Sequence, residues 1–159
     1  MAYWLMKSDV DDYTIDDLKR DGKVDWVGVR NYQARNFMRD SMKLGDLAFF
    51  YHSNAEPPGI AGVMKIVGEA KPDLMQFEKK SIYYDPKATK DSPRWMLREV
   101  EFVKKIDFIP LEEIRKNPGC KKMMILQKGS RLSITPVTEE EWKALTRPQK
   151  ISLQLSRAR

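Results

Sequence analysis

Apolar and polar positions alternate with a period of two in some stretches of the chain and recur at helical spacing in others. From Ala2 to Lys7 both faces of an extended chain are apolar, Tyr3 and Leu5 on one side and Trp4 and Met6 on the other, which predicts a strand covered on two sides. Thr14, with Asp17 three residues on and Gly22 as a stop, predicts a short helix over Thr14 to Asp21. From Asn31 to Met42 the positions Ala34, Phe37, Met38, Ser41 and Met42 follow helical spacing, and Arg35, Arg39 and Lys43 form a basic stripe beside them. Gly45-Asp46 turns the chain into Leu47 to His52, again apolar on both faces and so a central strand.

After the turn formers of Ser53 to Pro58, Gly59 to Ala70 predicts a strand in which Gly62 and Gly68 mark bulges or corners. Lys71 to Pro93 is polar and contains three prolines, yet it holds Phe77, Tyr83 and Tyr84, so it reads as an ordered excursion. Met96 to Val103 alternates Val100 and Phe102 with Glu99 and Glu101, a strand with one wet side. Leu111 to Lys116 is a helix stopped by Asn117-Pro118-Gly119, Arg131 to Val137 the last strand, and Thr138 with Glu141 opens a helix ending near Leu145. There is no internal repeat. The sum is an α+β domain. Its successive glycine-bent strands argue against βαβ pairing and for a small curved or closed β-barrel flanked by short helices.

Composition narrows the function classes. The 159 residues fit one domain, with 42% hydrophobic and 33% charged residues. No apolar run reaches the roughly 18 residues a membrane helix needs, and Met1 to Lys7 lacks the pattern of a secretion signal, so a cytoplasmic protein is expected, or a nuclear one in a eukaryote. One cysteine, Cys120, and one histidine, His52, exclude an internal disulfide and a Cys/His zinc site; no metal and no cofactor is assigned. Net charge is +6, but Arg147 to Arg159 carries four basic residues and no acid, so the remaining 25 basic residues face 23 acids. The division is a domain over 1–146 and a basic tail over 147–159. A body this close to neutral lacks the broad basic surface of a bulk nucleic-acid binder, so any such function rests on a local stripe, a pocket or the tail.

The usual catalytic motifs are missing. His52 precedes Ser53, but neighbours on a strand point to opposite faces, so the histidine reads as a structural or hydrogen-bonding residue. The run Trp26-Val27-Gly28-Val29-Arg30-Asn31-Tyr32-Gln33-Ala34-Arg35 combines a flat ring, amides able to pair with a base edge, and arginines able to meet phosphate or stack. Trp26 is then either the wall of a pocket for a single base or the cap of a hydrophobic core with its indole N–H satisfied. Lys7-Ser8 and His52-Ser53-Asn54 leave two strands; if those strands are neighbours, their polar exits share a rim.

These residues, with Tyr3-Trp4-Leu5-Met6-Lys7-Ser8, Gly45 to Ser53, Pro57-Pro58-Gly59-Ile60, Tyr83-Tyr84-Asp85-Pro86, Pro93-Arg94-Trp95 and Gly129-Ser130-Arg131-Leu132-Ser133, resemble the EVE domain family of the PUA-like superfamily. The resemblance implies a small β-barrel with flanking helices and a non-catalytic reader of a methylated or hydroxymethylated nucleobase in DNA or RNA, expected to be a monomer. YTH domains, similar in placing a lysine-serine strand exit near a tryptophan that cages a methylated base, point to Lys7, Ser8 and Trp26. By the same likeness Arg30, Asn31, Tyr32, Tyr51, His52 and Ser53 would line or brace the pocket. Arg35, Arg39, Lys43 and Arg131 would meet the phosphate backbone. One departure is Val10, where the family commonly has proline after the acid; without proline's fixed φ this rim segment is less restrained. The competing classes are an RNA-processing or RNA-cleaving enzyme using lysine, arginine and tyrosine, and a protein-binding adaptor using the Lys71 to Pro93 excursion.

Overall fold

The computed structural model describes residues 1–128 and 131–147. A mixed sheet runs in the order β2-β6-β4-β3-β1-β7, with the two-residue β5 (Lys71–Pro72) paired to the start of β6. Its strands are β1 (Tyr3–Asp9), β2 (Lys23–Trp26), β3 (Leu47–Ser53), β4 (Gly59–Ile66), β6 (Met96–Pro110) and β7 (Ile134–Val137). Among the described residues no ladder joins the end strands β2 and β7, so of the curved and closed alternatives the sheet takes the curved, open form. Irregularities at Phe50/Tyr51, Ile60/Gly62 and Val63/Met64 bend it. Bulges on neighbouring strands give the expected curvature without closure.

Two expectations are overturned. β1 and β3 pair in parallel, from Tyr3↔Leu47 to Asp9↔Ser53, across a connection carrying helix α1 (Ile15–Asp21), β2 and helix α2 (Tyr32–Asn36). The βαβ exclusion failed because β2 is only four residues long, too short for the alternation of Val24 and Trp26 with Lys23 and Asp25 to stand out as a strand. The Asn31 to Met42 helix is also two pieces, α2 and a π-helical turn over Phe37–Ser41. The break is tied to Arg98, buried on β6, whose Nη1 donates to the carbonyls of Met38 (3.0 Å) and Met42 (2.9 Å).

Apolar side chains fill both faces of the sheet. One face packs Leu5, Phe49, Val63 and Val103 with helices α3 (Leu111–Lys116) and α4 (Glu139–Thr146); the other packs Trp4, Met6, Phe50 and Met64 with α1 and α2. Strands covered on two sides require the continuous apolar runs seen in β1 and β3. The two capping boxes form as read, Thr14 with Asp17 and Thr138 with Glu141. Gly62 lets α1 press on the sheet, since a Cβ there would collide with Ile15. Gly68 lies past the end of β4, where the amides of Val67 and Gly68 both donate to the Glu99 carbonyl. Apart from Arg147, the basic tail lies outside the described residues.

Candidate functional site

The parallel register sets the end of β1 beside the end of β3, with Ser8 opposite His52 and Asp9 opposite Ser53. On the other side β2 delivers Trp26, and the chain then turns at Gly28 (φ +80°). Between the exits of β1 and β2 lies a cleft of about 600 Å³, a size suited to a small organic guest. Lys7, Ser8, Tyr13, Trp26, Tyr83 and Ser133 are among its walls.

A buried carboxylate holds the far wall in place. Asp73, fully buried, accepts from the Gly28 amide (2.8 Å), the Arg30 guanidinium (3.1 Å) and the Met75 amide (3.0 Å). Arg30 also donates to the Tyr83 carbonyl through Nε (3.1 Å) and Nη2 (3.0 Å), and lies over the rings of Tyr83 and Trp95. The Tyr83 ring occupies the space a side chain at position 28 would need: a Cβ on Gly28 would stand 2.8 Å from it. The positive φ and this close approach both require glycine. The Lys71 to Pro93 excursion thereby becomes a wall of the cleft.

The near wall joins rings to polar groups. Trp26 is only 7% exposed, with its ring perpendicular to Phe50 at 5.4 Å between centroids. The indole N–H groups of Trp4 and Trp95 donate to Asp46 and Asp85. That of Trp26 donates to no described residue, and it is not among the fully buried polar atoms that lack a partner, so solvent or a guest can reach it. Trp26 also belongs to the hydrophobic core cluster of its sheet face, as the core-cap alternative expects, so its ring both packs on the core and borders the cleft. Ser8 Oγ donates to the Tyr13 carbonyl (2.7 Å), and the Tyr13 hydroxyl donates to Asp21 (2.7 Å). Burial and that carboxylate push the Tyr13 phenol pKa up, so the hydroxyl stays protonated. Lys7, half-buried with its pKa lowered by desolvation, has no ion pair among the described residues, so its ammonium is under-compensated. Asp9, Asp11, Asp12 and Asp25 stand around the mouth.

Of the residues read from sequence, Lys7, Ser8 and Trp26 come together in the cleft, with Arg30 bracing it from behind. Asn31 instead caps α2, its side chain accepting from the Ala34 amide (3.1 Å). Tyr32 stacks on Trp95 at 4.8 Å and lies under Arg35 and Arg94. Tyr51 is buried in the core of the opposite face. His52 Nε2 accepts from the Ile15 amide (3.1 Å) at the start of α1, which makes the ring a neutral acceptor with its pKa lowered by burial. The Ser53 carbonyl accepts from Val10 (3.2 Å). Arg35 donates to the Arg94 carbonyl and Arg39 to Asp40, while Lys43 and Arg131 are exposed.

Tyr13, Tyr83 and Ser133 were missed as wall residues. Each left a trace: Tyr13 is the aromatic just before a helix cap, Tyr83 an aromatic in a polar stretch, and Ser133 a polar residue at a strand entry. A second depression of about 680 Å³, lined by Asp21, Gly22, Lys23, Glu101, Phe102 and Val103, offers no comparable wall of rings. Its Lys23 and Glu101 already face each other at 3.8 Å.

An open, bent mixed sheet with flanking short helices and a ring-walled cleft at its parallel strand ends defines a domain of the PUA-like class. Residues 2–147 match the EVE domain, and the chain belongs to that family. It is 48% identical to human thymocyte nuclear protein 1 over 160 residues, covering 89% of this chain and 71% of the relative. A crystal structure of a Pseudomonas putida protein aligns with a TM-score of 0.89 and 44% identity, covering 93% of this chain and 99% of that one. Human THYN1 protein in complex with 5-methylcytosine containing DNA aligns with a TM-score of 0.88 and 42% identity, covering 96% and 99%.

Proposed function

We propose that this protein is a non-catalytic reader that takes a modified base of DNA, methylated or hydroxymethylated at cytosine, into the cleft walled by Trp26. The reachable indole of Trp26 beside the unpaired ammonium of Lys7 carries this reading. A relative of similar fold and 42% identity in complex with 5-methylcytosine containing DNA supports it. The carboxylates at the mouth repel phosphate and can accept from an exocyclic amine, as Asp and Glu accept from cytosine N4. The base therefore enters while its phosphates stay outside, toward Arg35, Arg39, Lys43 and Arg131.

Stacking on a ring is worth about 1 to 3 kcal/mol per base, and extracting a base from a duplex costs a few kcal/mol, so the two nearly cancel. A buried methyl adds about 0.8 kcal/mol. Net preference then depends on hydrogen bonds from Lys7 and the Trp26 N–H to the base edge, with Ser8 Oγ, whose proton is held by the Tyr13 carbonyl, offering an acceptor. Because the cleft and its walls are built for a planar guest, RNA carrying the same base is a weaker ligand only if the sugar is read. In a eukaryotic cell the nucleus is where this partner resides, in keeping with the name of the human relative.

The test is fluorescence titration of DNA and RNA oligonucleotides carrying cytosine, 5-methylcytosine or 5-hydroxymethylcytosine, with Trp26→Phe and Lys7→Met as controls. Binding that favours the modified DNA and weakens in both variants is the expected result. Equal binding of all oligonucleotides by wild type and variants would refute the reading.

A further inference from the structure

Two exposed apolar side chains stand at the lip of this cleft. Ile82 is 90% exposed and Val27 40% exposed, and both border the opening that Trp26 and Tyr83 line. Single exposed aliphatic residues are common, but these two border one opening and Ile82 sits on a braced support. The Tyr84 amide donates to the Ser81 carbonyl (3.1 Å) and the Tyr83 amide to Ser81 Oγ (3.0 Å), closing a tight turn with Ile82 at its tip. Arg30 grips the Tyr83 carbonyl through two nitrogens, and Asp73 anchors both Arg30 and the Gly28 amide next to Val27. One buried carboxylate therefore positions both apolar tips.

We infer that Ile82, with Val27 beside it, is a wedge that enters a DNA duplex and fills the gap in the base stack left by the base taken into the cleft. This rests on the cleft being a base site. A base leaving a duplex unstacks its neighbours, and apolar side chains that occupy such steps are a recurrent way to stabilise the opened form. The position suits this role, because the wedge borders the receiving cleft and a base swung through the opening leaves its former place next to Ile82. A single strand has no gap to fill, so the wedge acts on duplex only.

The experiment compares Ile82→Ser with wild type on three probes: a duplex with one 5-methylcytosine, the same duplex with that base opposite an abasic site, and the methylated strand alone. Ile82 is too exposed for its loss to unfold the domain, and a melting curve checks this. The expected result is about a tenfold loss on the paired duplex, a smaller loss opposite the abasic site and less than about twofold on the single strand. A 2-aminopurine placed next to the methylated base should brighten with wild type and less with Ile82→Ser. Equal losses on all three probes, or no loss on any, would overturn the wedge. If wild type prefers methylated single strands while Ile82→Ser is indifferent on duplex, the base site stands and the wedge falls; if wild type ignores methylation on every probe, both fall.

Discussion

Trp142 and Trp26 are almost equally hidden, at 2% and 7% exposure, yet their surroundings differ. Trp142, on α4, stacks on Tyr3 (4.6 Å) and on Phe49 (4.1 Å), each ring nearly parallel to the indole. Trp26, at the end of β2, meets Phe50 edge to face and borders a cavity. Burial alone therefore does not separate a ring enclosed by other rings from one that borders a cleft. The difference lies in what stands on the remaining side: stacked rings for one, and for the other a cleft shared with Ser8 and with Lys7, which has no ion pair among the described residues.

Truncating the two rings should separate them most clearly. Trp142→Ala should destabilise the fold by about 3 to 5 kcal/mol, because the sealed space cannot be refilled, while leaving base affinity per folded molecule unchanged. Trp26→Ala should cost less stability, about 2 to 4 kcal/mol, because water enters from the cleft, and should abolish selective binding of a modified base. Chemical denaturation paired with oligonucleotide titration reads both, and loss of binding in both variants alike would erase the contrast.

A smaller effect is expected at the clamp behind the cleft. Asp73→Asn keeps the shape but weakens the bonds to Arg30, Gly28 and Met75, and should cost about 1 to 3 kcal/mol together with looser base binding. Unchanged binding in the folded variant would show that the Tyr83 wall needs no anchor.

The pH response should be gentler. Burial lowers the His52 pKa, so the unfolded chain binds the proton more readily than the native one. Stability should be full above about pH 6.5 and decline as pH falls through that value toward the native pKa. Melting temperatures from pH 8 to 5 should show the decline in wild type and its flattening in His52→Gln, whose side chain can still accept from Ile15. The least effect on the fold should come from Arg39→Ala, within about 0.5 kcal/mol since the residue is exposed, with a slightly shallower salt dependence of DNA binding as its readout.

Local chemistry explains which parts were legible beforehand. The two capping boxes, the stop after Lys116 and the doubly covered strands β1 and β3 each depend on residues a few positions apart, so spacing alone reveals them. Trp26 could be singled out because its ring leads directly into a run of glycine, amides and arginines, Gly28 to Arg35, instead of a long apolar stretch. β2 stayed hidden because its partner, β6, lies some seventy residues along the chain and supplies the hydrogen bonds its own composition does not request. His52 and Tyr51 shared the sequence neighbourhood of the site without entering the cleft, since strand geometry sends one toward α1 and the other into the opposite core.

The amino-acid order by itself determined the class of fold, the caps, the lack of a Cys/His metal site and the presence of a lysine-serine exit and a stray tryptophan, all properties of short segments. Only the tertiary structure decided that the sheet stays open, that β1 and β3 run parallel so that two polar exits meet, and that Asp73 pulls a distant excursion over Gly28 to wall the cleft with Tyr83. Contacts between residues tens of positions apart form only after chain entropy has been overcome by the packing of the whole, so no local pattern announces them.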